Sequence, residues 1–256
     1  EYDPQRENQF NRDELFEIND IDADKNHPVK KKRPFANGSI SIKSGIVSIL
    51  LLIIIGFGLS IYFLTISFTQ LLLLYLISTI SYSLFLKKKV IVDVIMLAML
   101  YLLRIVAGGV ATGTPVSSWL LVFSVFFFSS LAFMKRYTDV IEMKDATMVL
   151  HGRDYVRSDS MLILSSGVSS GYISILILAL YIFSDNVRLL YEGPEILLMA
   201  LPILFYWISR LWLISHRGQM TSDPIIFSIK DRVSYLILFL MAFIFFFAKF
   251  YNMQIL

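Results

Sequence analysis

The sequence contains no cysteine among its 256 residues. This absence excludes a disulfide framework, a zinc site built on thiolates and a cysteine nucleophile, although it says little about the compartment. Charged residues are also scarce, at 17% of the chain, whereas soluble domains usually carry about 25%. With 56% hydrophobic residues and a mean hydropathy of +0.67, the chain is typical of a membrane protein.

Two further absences narrow the function. The three histidines, His27, His151 and His216, show no H-E-x-x-H or other zinc pattern. Residues 1–44 are acidic at the front and basic at the back, and they contain no apolar stretch of the kind found in a signal peptide. We therefore expect no zinc hydrolase, and no signal peptide ahead of the first span.

Long apolar runs are what the sequence does have. Each approaches or exceeds the ~20 residues that cross a bilayer as a helix. Seven such runs lie at about 45–66, 69–86, 90–110, 117–134, 161–183, 195–214 and 233–250. The predicted fold class is all-α: a cytoplasmic polar segment, residues 1–44, precedes a polytopic transmembrane bundle of about seven helices in residues 45–256.

The connections between the runs alternate in charge. Lysine and arginine gather in residues 1–44, at Lys87–Lys89 and in the loops 135–160 and 215–232, while the intervening connections carry almost none. By the positive-inside rule, the charged set is cytoplasmic. We therefore expect the lipid bilayer to be a partner of the chain, and we expect no nucleic-acid partner.

A stripe of carboxylates precedes the first span. Glu17, Asp20 and Asp24 follow at i, i+3 and i+7, so a helix places them on one face, whereas Asp22 faces elsewhere. Mg²⁺ prefers oxygen ligands and often bridges one or two carboxylates to phosphates, so the stripe suits a metal-bound diphosphate. The alternative is a solvated acidic helix end.

Cations follow the stripe and recur in the next long loop. The run Lys30–Arg33 either sets topology and binds anionic lipid headgroups, or places Lys30 and Arg33 against substrate phosphates. Three more candidates for phosphate binding lie in the loop 135–160: Lys135, Arg136 and Arg153. In the same loop, Asp154 and Asp159 could supply a second metal site or a base, and the alternative is an ordinary hydrophilic loop.

Arg104 lies inside the predicted span 90–110. A charge at that depth is expensive, so we expect Arg104 to face the bundle interior, bind substrate and have an anionic partner. Arg210 lies nearer a span end, where snorkelling to the interface is the alternative.

These motifs together resemble the UbiA superfamily of intramembrane prenyltransferases. The family's N-D-x-x-D-x-x-x-D, basic loop and R-P-x-x-x-G correspond to Glu17–Asp24, the basic run and Arg33–Gly38. The stretches YLLRIVAGGVATGTPVSSW (Tyr101–Trp119) and KRYTDV (Lys135–Val140) are similar to the branch containing decaprenyl-phosphate phosphoribosyltransferase. ISRLWLISHRGQMTSDPIIFSIKDRVS resembles bacterial relatives whose membrane domain follows a haloacid-dehalogenase-like domain.

The resemblance implies a transferase of the bacterial plasma membrane whose polar cavity opens to the cytoplasmic leaflet. Mg²⁺ at Glu17, Asp20 and Asp24 would hold the diphosphate leaving group of a substrate that reacts with a polyprenyl lipid. The reaction is either phosphoribosyl transfer to a polyprenyl phosphate, which we favour, or prenyl transfer from a diphosphate to an aromatic or other acceptor. Asp154, Tyr155 and Asp159, in GRDYVRSD, would take the catalytic place of the second acidic motif.

The chain departs from the family in three respects. Phe16-Glu17 replaces Asn-Asp, and Asp154 and Asp159 are five residues apart where the family has D-x-x-x-D. The family has nine spans, so the resemblance implies that the first two are lacking here and that a haloacid-dehalogenase-like domain precedes them in the full-length protein. A transporter and a non-catalytic membrane protein remain alternatives, although charges gathered on one face favour an enzyme over a transport path.

Overall fold

A computed structural model describes residues 42–143, 149–150, 152–220 and 223–250. In these residues the chain is helical, and the only extended pairing is an isolated bridge between Val149 and Val156. Apolar runs in lipid must satisfy their backbone hydrogen bonds internally, which a helix does. The chain divides after Leu72 into two units.

The described part of the first unit contains α1 (Ile42–Phe63) and the start of α2 (Ile66–Leu84). The hydroxyls of Ser60 and Thr69 share a hydrogen bond of 2.7 Å across the turn between these helices. Most apolar side chains of α1 are exposed, as expected for a surface in contact with lipid.

The second unit contains the rest of α2 and the remaining helices. They are α3 (Val92–Thr112), α4 (Ser118–Ile141), α5 (Ser160–Ile182), α6 (Asp185–Leu190), α7 (Ala200–His216), α8 (Pro224–Lys230) and α9 (Arg232–Phe250). Short 3-10 helices lie at Leu86–Lys88, Arg157–Asp159 and Pro194–Met199.

Six helical segments of the described chain are long and apolar enough to cross a membrane. They are Ile66–Leu84, Val92–Thr112, Ser118–Ile141, Arg157–Ile182, Pro194–His216 and Arg232–Phe250. α1 occupies the place of the predicted first span, and its portion Val47–Phe63 is apolar but shorter. The polytopic all-α fold is therefore confirmed.

Helix α4 lies at the centre of the second unit and packs against α3, α5, α7 and α8. Its Ser130 hydroxyl donates to the carbonyl of Gly167 in α5 at 2.7 Å and accepts from Trp212 Nε1 in α7 at 3.1 Å. Because Gly167 has no side chain, these three helices approach closely at this point.

Successive long helices of the second unit run in opposite directions. At one end, the C-terminal part of α4 meets the start of α3 through Arg136 and Asp93 and the end of α7 through Tyr137 and His216. At the other end, the N–H of Gly193 donates to the carbonyl of Ala248. The described parts of the predicted loops 135–160 and 215–232 therefore lie at one end, and the cytoplasmic location of that end remains a prediction.

Candidate functional site

The site begins where the chain turns into α3. Ile91 has φ 67° and ψ −41°, and the N–H of Val92 donates to the carbonyl of Val90 at 2.8 Å. This is a γ-turn in its rare positive-φ form, which is strained for a β-branched residue. The turn leads directly to Asp93 in the first turn of α3, where the helix dipole favours a negative charge.

Asp93 is fully buried but well partnered. Its Oδ2 accepts from Nε of Arg136 at 2.5 Å, and its Oδ1 accepts from the Tyr155 hydroxyl at 2.6 Å. Arg136 is also fully buried, and its Nη1 donates to Asp139 at 2.6 Å while Nη2 makes a long contact of 3.5 Å with the Tyr82 hydroxyl. Two buried charges are tolerated here because each has an opposite charge and hydrogen bonds.

The loop between α4 and α5 is fastened to this network through Tyr155. Its main chain turns at Gly152, which has φ +74°, and the N–H of Leu150 donates to the carbonyl of Tyr155 at 2.7 Å. The Tyr155 hydroxyl accepts from the N–H of Ile91 at 2.8 Å. Burial, and then the hydrogen bond to Asp93, raise the pKa of Tyr155 well above its ordinary value, so the phenol stays protonated at neutral pH.

Arg153 lies beside the same carboxylate without a hydrogen bond to it. Its Nε is 3.8 Å from Oδ2 of Asp93, and within the described chain this buried nitrogen has no hydrogen-bond partner. The Arg153 side chain is 24% exposed. Arg153 is thus held near a negative charge while one of its donors is unused.

A second ion pair lies between α4 and α8. Lys135 Nζ is 2.7 Å from Oδ2 of Asp223, whose Oδ1 accepts from the N–H groups of Ile225 and Ile226 at the start of α8. Burial raises the pKa of Asp223, but Lys135 and these N–H groups outweigh it, so the pKa lies below its ordinary value. The pair borders a small cavity whose other walls are Tyr101 and apolar side chains of α3, α4 and α8.

Arg104 is placed differently from the prediction. It is exposed, and its Nε and Nη2 donate to the Tyr75 hydroxyl at 3.1 and 2.5 Å. Its guanidinium carbon lies 5.3 and 5.2 Å from the ring centroids of Tyr75 and Tyr101. Among the residues that the structure describes, a phenol oxygen and two aromatic rings contact this cation, so the anionic partner that we expected is not found there.

The acidic stripe and the basic run lie outside the described residues. Their predicted site residues are Glu17, Asp20, Asp24, Lys30 and Arg33.

Within the described loop, the two predicted carboxylates do not converge. Asp154 is exposed, and its N–H donates to the carbonyl of Lys88 at 3.4 Å. Asp159 accepts from the N–H of Val156 inside its own turn at 3.0 Å. Across the ranges that the structure describes, no three His, Cys, Asp or Glu residues come close enough to hold a metal ion.

We predicted that Arg136 binds substrate. In the structure its side chain is buried and already paired with Asp93 and Asp139, so it is not placed to contact a substrate directly. The sequence reasoning missed Asp93 and Asp139, the carboxylates that engage it. A signal for Asp93 was present: it is the one acidic residue in the predicted span 90–110. A charged residue inside a membrane span is costly and therefore suggests a functional site, and this applies to Asp93 as it does to Arg104.

The fold and the charged end of the bundle define a polytopic membrane protein with a polar site at one side of the bilayer. The profile of the UbiA prenyltransferase family matches residues 17–230. The chain belongs to this family.

Several bacterial proteins are similar to the chain. An uncharacterized protein, y4nM, of Sinorhizobium fredii is 35% identical over 225 residues, which are 87% of this chain and 43% of y4nM. The nodulation protein NoeC of Azorhizobium caulinodans is 30% identical over 230 residues, 86% of this chain and 72% of NoeC. A decaprenyl-phosphate phosphoribosyltransferase of Mycobacterium tuberculosis is 28% identical over 132 residues, 48% of this chain and 41% of that enzyme. The chain therefore spans less than half the length of y4nM.

Proposed function

We propose that the protein is a Mg²⁺-dependent transferase that acts on a polyprenyl lipid at the cytoplasmic face of the bacterial plasma membrane. The observation that carries this proposal is the extent of the family match, which begins at Glu17, the first carboxylate of the acidic stripe, and continues to residue 230. The match thus includes both the predicted metal ligands and the charged end of the bundle.

We favour phosphoribosyl diphosphate as the donor and a polyprenyl phosphate as the acceptor. The similarity to decaprenyl-phosphate phosphoribosyltransferase supports this choice. A soluble sugar phosphate presents hydroxyls and a phosphate, and Lys135 and Arg153 both have partly exposed side chains at the charged end of the bundle. Charge-assisted hydrogen bonds from these cations suit such a donor.

In this reaction the bond between the anomeric carbon and the diphosphate breaks, and the electron pair leaves with the diphosphate. A phosphate oxygen of the lipid forms the new bond to that carbon. Glu17, Asp20 and Asp24 would hold Mg²⁺, which would supply positive charge for the leaving group. Lys135 and Arg153 donate to phosphate oxygens, and the surrounding helices limit the access of water, which strengthens both interactions.

The second candidate is prenyl transfer from a prenyl diphosphate to an aromatic or other acceptor. The more similar relatives, y4nM and NoeC, have names that specify no donor. Apart from Lys135, Asp223 and Tyr101, the side chains around the small cavity beside Lys135 are apolar, as expected for a surface that contacts a prenyl chain. The haloacid-dehalogenase-like domain that we expect upstream stays a prediction.

The test supplies membranes that contain the full-length protein with each labelled donor and polyprenyl phosphate, with and without Mg²⁺. We expect Mg²⁺-dependent labelled lipid from phosphoribosyl diphosphate. Asp20→Asn and Asp24→Asn should reduce the rate by about a hundredfold or more, as the removal of charge stabilisation does. Asp22→Asn, on another face, is the matched control and should change the rate little.

Labelled product from a prenyl diphosphate alone would move the protein to the second candidate. No transfer from either donor would overturn the proposed function. Equal losses in all three asparagine variants would indicate a general effect of charge instead of a metal site.

A further inference from the structure

We propose that Asp93 is a positioning residue that holds Arg153 in place for the phosphate-bearing donor. The inference rests on the proposed transferase function, and it concerns how the site is built instead of which donor is used. Neither family motif in the sequence includes Asp93, and its partners lie on other segments of the chain.

Of the two arginines beside Asp93, only Arg153 is exposed enough to meet a substrate. Arg136 is fully buried, with Nε on Asp93 and Nη1 on Asp139. The Arg153 side chain is 24% exposed through its other atoms, whereas its Nε is buried and has no hydrogen-bond partner within the described chain. An anion that reaches this end of the bundle therefore meets Arg153, while Arg136 keeps its existing partners.

The charges around Asp93 balance only when Arg153 is included. Asp93 and Asp139 are two carboxylates, and Arg136 and Arg153 are two guanidinium groups around them. Arg136 directs a hydrogen bond to each carboxylate, so Arg153 supplies the charge that balances the cluster. At 3.8 Å from Oδ2 of Asp93, its Nε is attracted by charge but is beyond hydrogen-bond distance. Arg153 is thus kept near Asp93 by charge, while the exposed part of its side chain stays accessible.

The loop that carries Arg153 is joined by hydrogen bonds to Asp93 and to the residues before it. The Tyr155 hydroxyl donates to Oδ1 of Asp93 and accepts from the N–H of Ile91. The N–H of Asp154 donates to the carbonyl of Lys88. Both residues that follow Arg153 are therefore attached to the segment that leads into α3, and Asp93 fixes the backbone from which Arg153 extends.

The test uses the full-length protein in lipid nanodiscs and compares Asp93→Asn, Arg153→Gln and the double variant. The readouts are KM for the donor, kcat and thermal stability. We expect each single variant to raise KM about tenfold and to change kcat less. Either substitution removes the interaction between these two neighbouring residues, and an effect of about tenfold is typical of such an interaction. The double variant should be no worse than Arg153→Gln alone, because Asp93 acts through Arg153.

Two further variants keep the test decisive. Asp93→Asn removes the main partner of the buried Arg136 and can prevent folding. Tyr155→Phe leaves that ion pair intact, removes one anchor of the loop, and should raise KM for the donor while the protein stays folded. Asp185→Asn, an exposed carboxylate at the other end of the bundle, is the matched control and should leave KM unchanged.

Several outcomes would overturn the inference. They are additive effects in the double variant, a lower melting temperature with unchanged KM, or a Tyr155→Phe protein with the KM of the control. If the wild type transfers nothing from either donor, the proposed function fails. The positioning role of Asp93 is then tested by calorimetric titration of the wild type and the variants with inorganic pyrophosphate and Mg²⁺. Binding weakened equally by Asp93→Asn, Arg153→Gln and their combination supports the positioning role, and independent losses contradict it.

Discussion

Ile91 holds a backbone conformation that a β-branched residue rarely adopts, at φ 67°. Such strain costs about 1–3 kcal/mol, and glycine adopts the same conformation without it. The side chain is 43% exposed, so its removal loses little burial. We therefore expect Ile91→Gly to raise the melting temperature of the purified protein in detergent, as measured by a thermal unfolding assay.

The neighbouring Val90 provides the control for this prediction. It is 38% exposed, and Ile91 is the only non-glycine residue of the described chain with a positive φ. Val90→Gly should therefore lower the melting temperature through the added entropy of the unfolded chain. Equal shifts in the two variants would show that no strain is released at Ile91.

Asp231 links α7 to the start of α9. Both of its oxygens accept from Arg210, at 2.6 and 3.0 Å, and Oδ2 also accepts from Ser234. The hydrogen bond from Arg210 lowers the pKa of Asp231 below its ordinary value. A carboxyl with a depressed folded-state pKa stabilises the fold above its unfolded pKa of about 4, and this contribution is lost as the pH falls through the folded-state value.

We expect the Asp231→Asn variant to melt at a lower temperature than the wild type at pH 7, and we expect the difference to shrink as the pH is lowered below about 4. The measurement is a series of melting curves from pH 7 to pH 3. A difference that stays constant over this range would show that the charge of Asp231 contributes nothing to stability.

At the scale of the helices, α5 is held close to α4 and α7 by glycine. A Cβ atom at Gly167 would lie 2.3 Å from the Trp212 ring and 2.8 Å from Cβ of Phe133. We expect Gly167→Ala to destabilise the bundle by about 1–3 kcal/mol, the usual result of overpacking, and to lower the melting temperature.

Gly108 in α3 is the matched control. A Cβ atom there meets nothing within 4 Å, so Gly108→Ala should be neutral or stabilising through helix propensity alone. If both alanine variants had the same stability, close packing at Gly167 would not be what holds these helices together.

The long helices were predictable because each contains an apolar run of about the length that spans the bilayer. The position at which α4 ends was not predictable in this way. The sequence places the end of this span at residue 134, whereas α4 continues to Ile141. Residues 135–140 look polar in sequence, but Asp93 neutralises Arg136 inside the bundle, and the helix can continue past the apolar run.

The cations and the tyrosine of the candidate site were predictable from the sequence, whereas its buried carboxylates and the pairing of its charges were not. Lys135, Arg153 and Tyr155 were selected as residues of one loop, and the structure places them at the same end of the bundle. Their partners lie far away in sequence: Arg136 is 43 residues from Asp93, and Lys135 is 88 residues from Asp223. Sequence spacing predicts neighbours on one helix, but it does not show which helices meet.

For the molecule as a whole, the account requires the charged end of the bundle to face the cytoplasm. Ser158 lies at that end, and Ser184 follows α5 at the other end. Because the chain has no cysteine, a single cysteine at either position is the only one that an impermeant thiol reagent can label. We expect Ser158→Cys and Ser184→Cys to be labelled from opposite sides, and labelling from the same side would contradict the topology.

The measurement that tests the central claim most directly is transfer in sealed vesicles of known orientation. A labelled soluble donor, phosphoribosyl diphosphate, is added outside vesicles that contain the full-length protein and polyprenyl phosphate. The account predicts Mg²⁺-dependent labelled lipid in inside-out vesicles, little in right-side-out vesicles, and loss of the product in Asp20→Asn. Equal product from both orientations, or no labelled lipid from either, would contradict it.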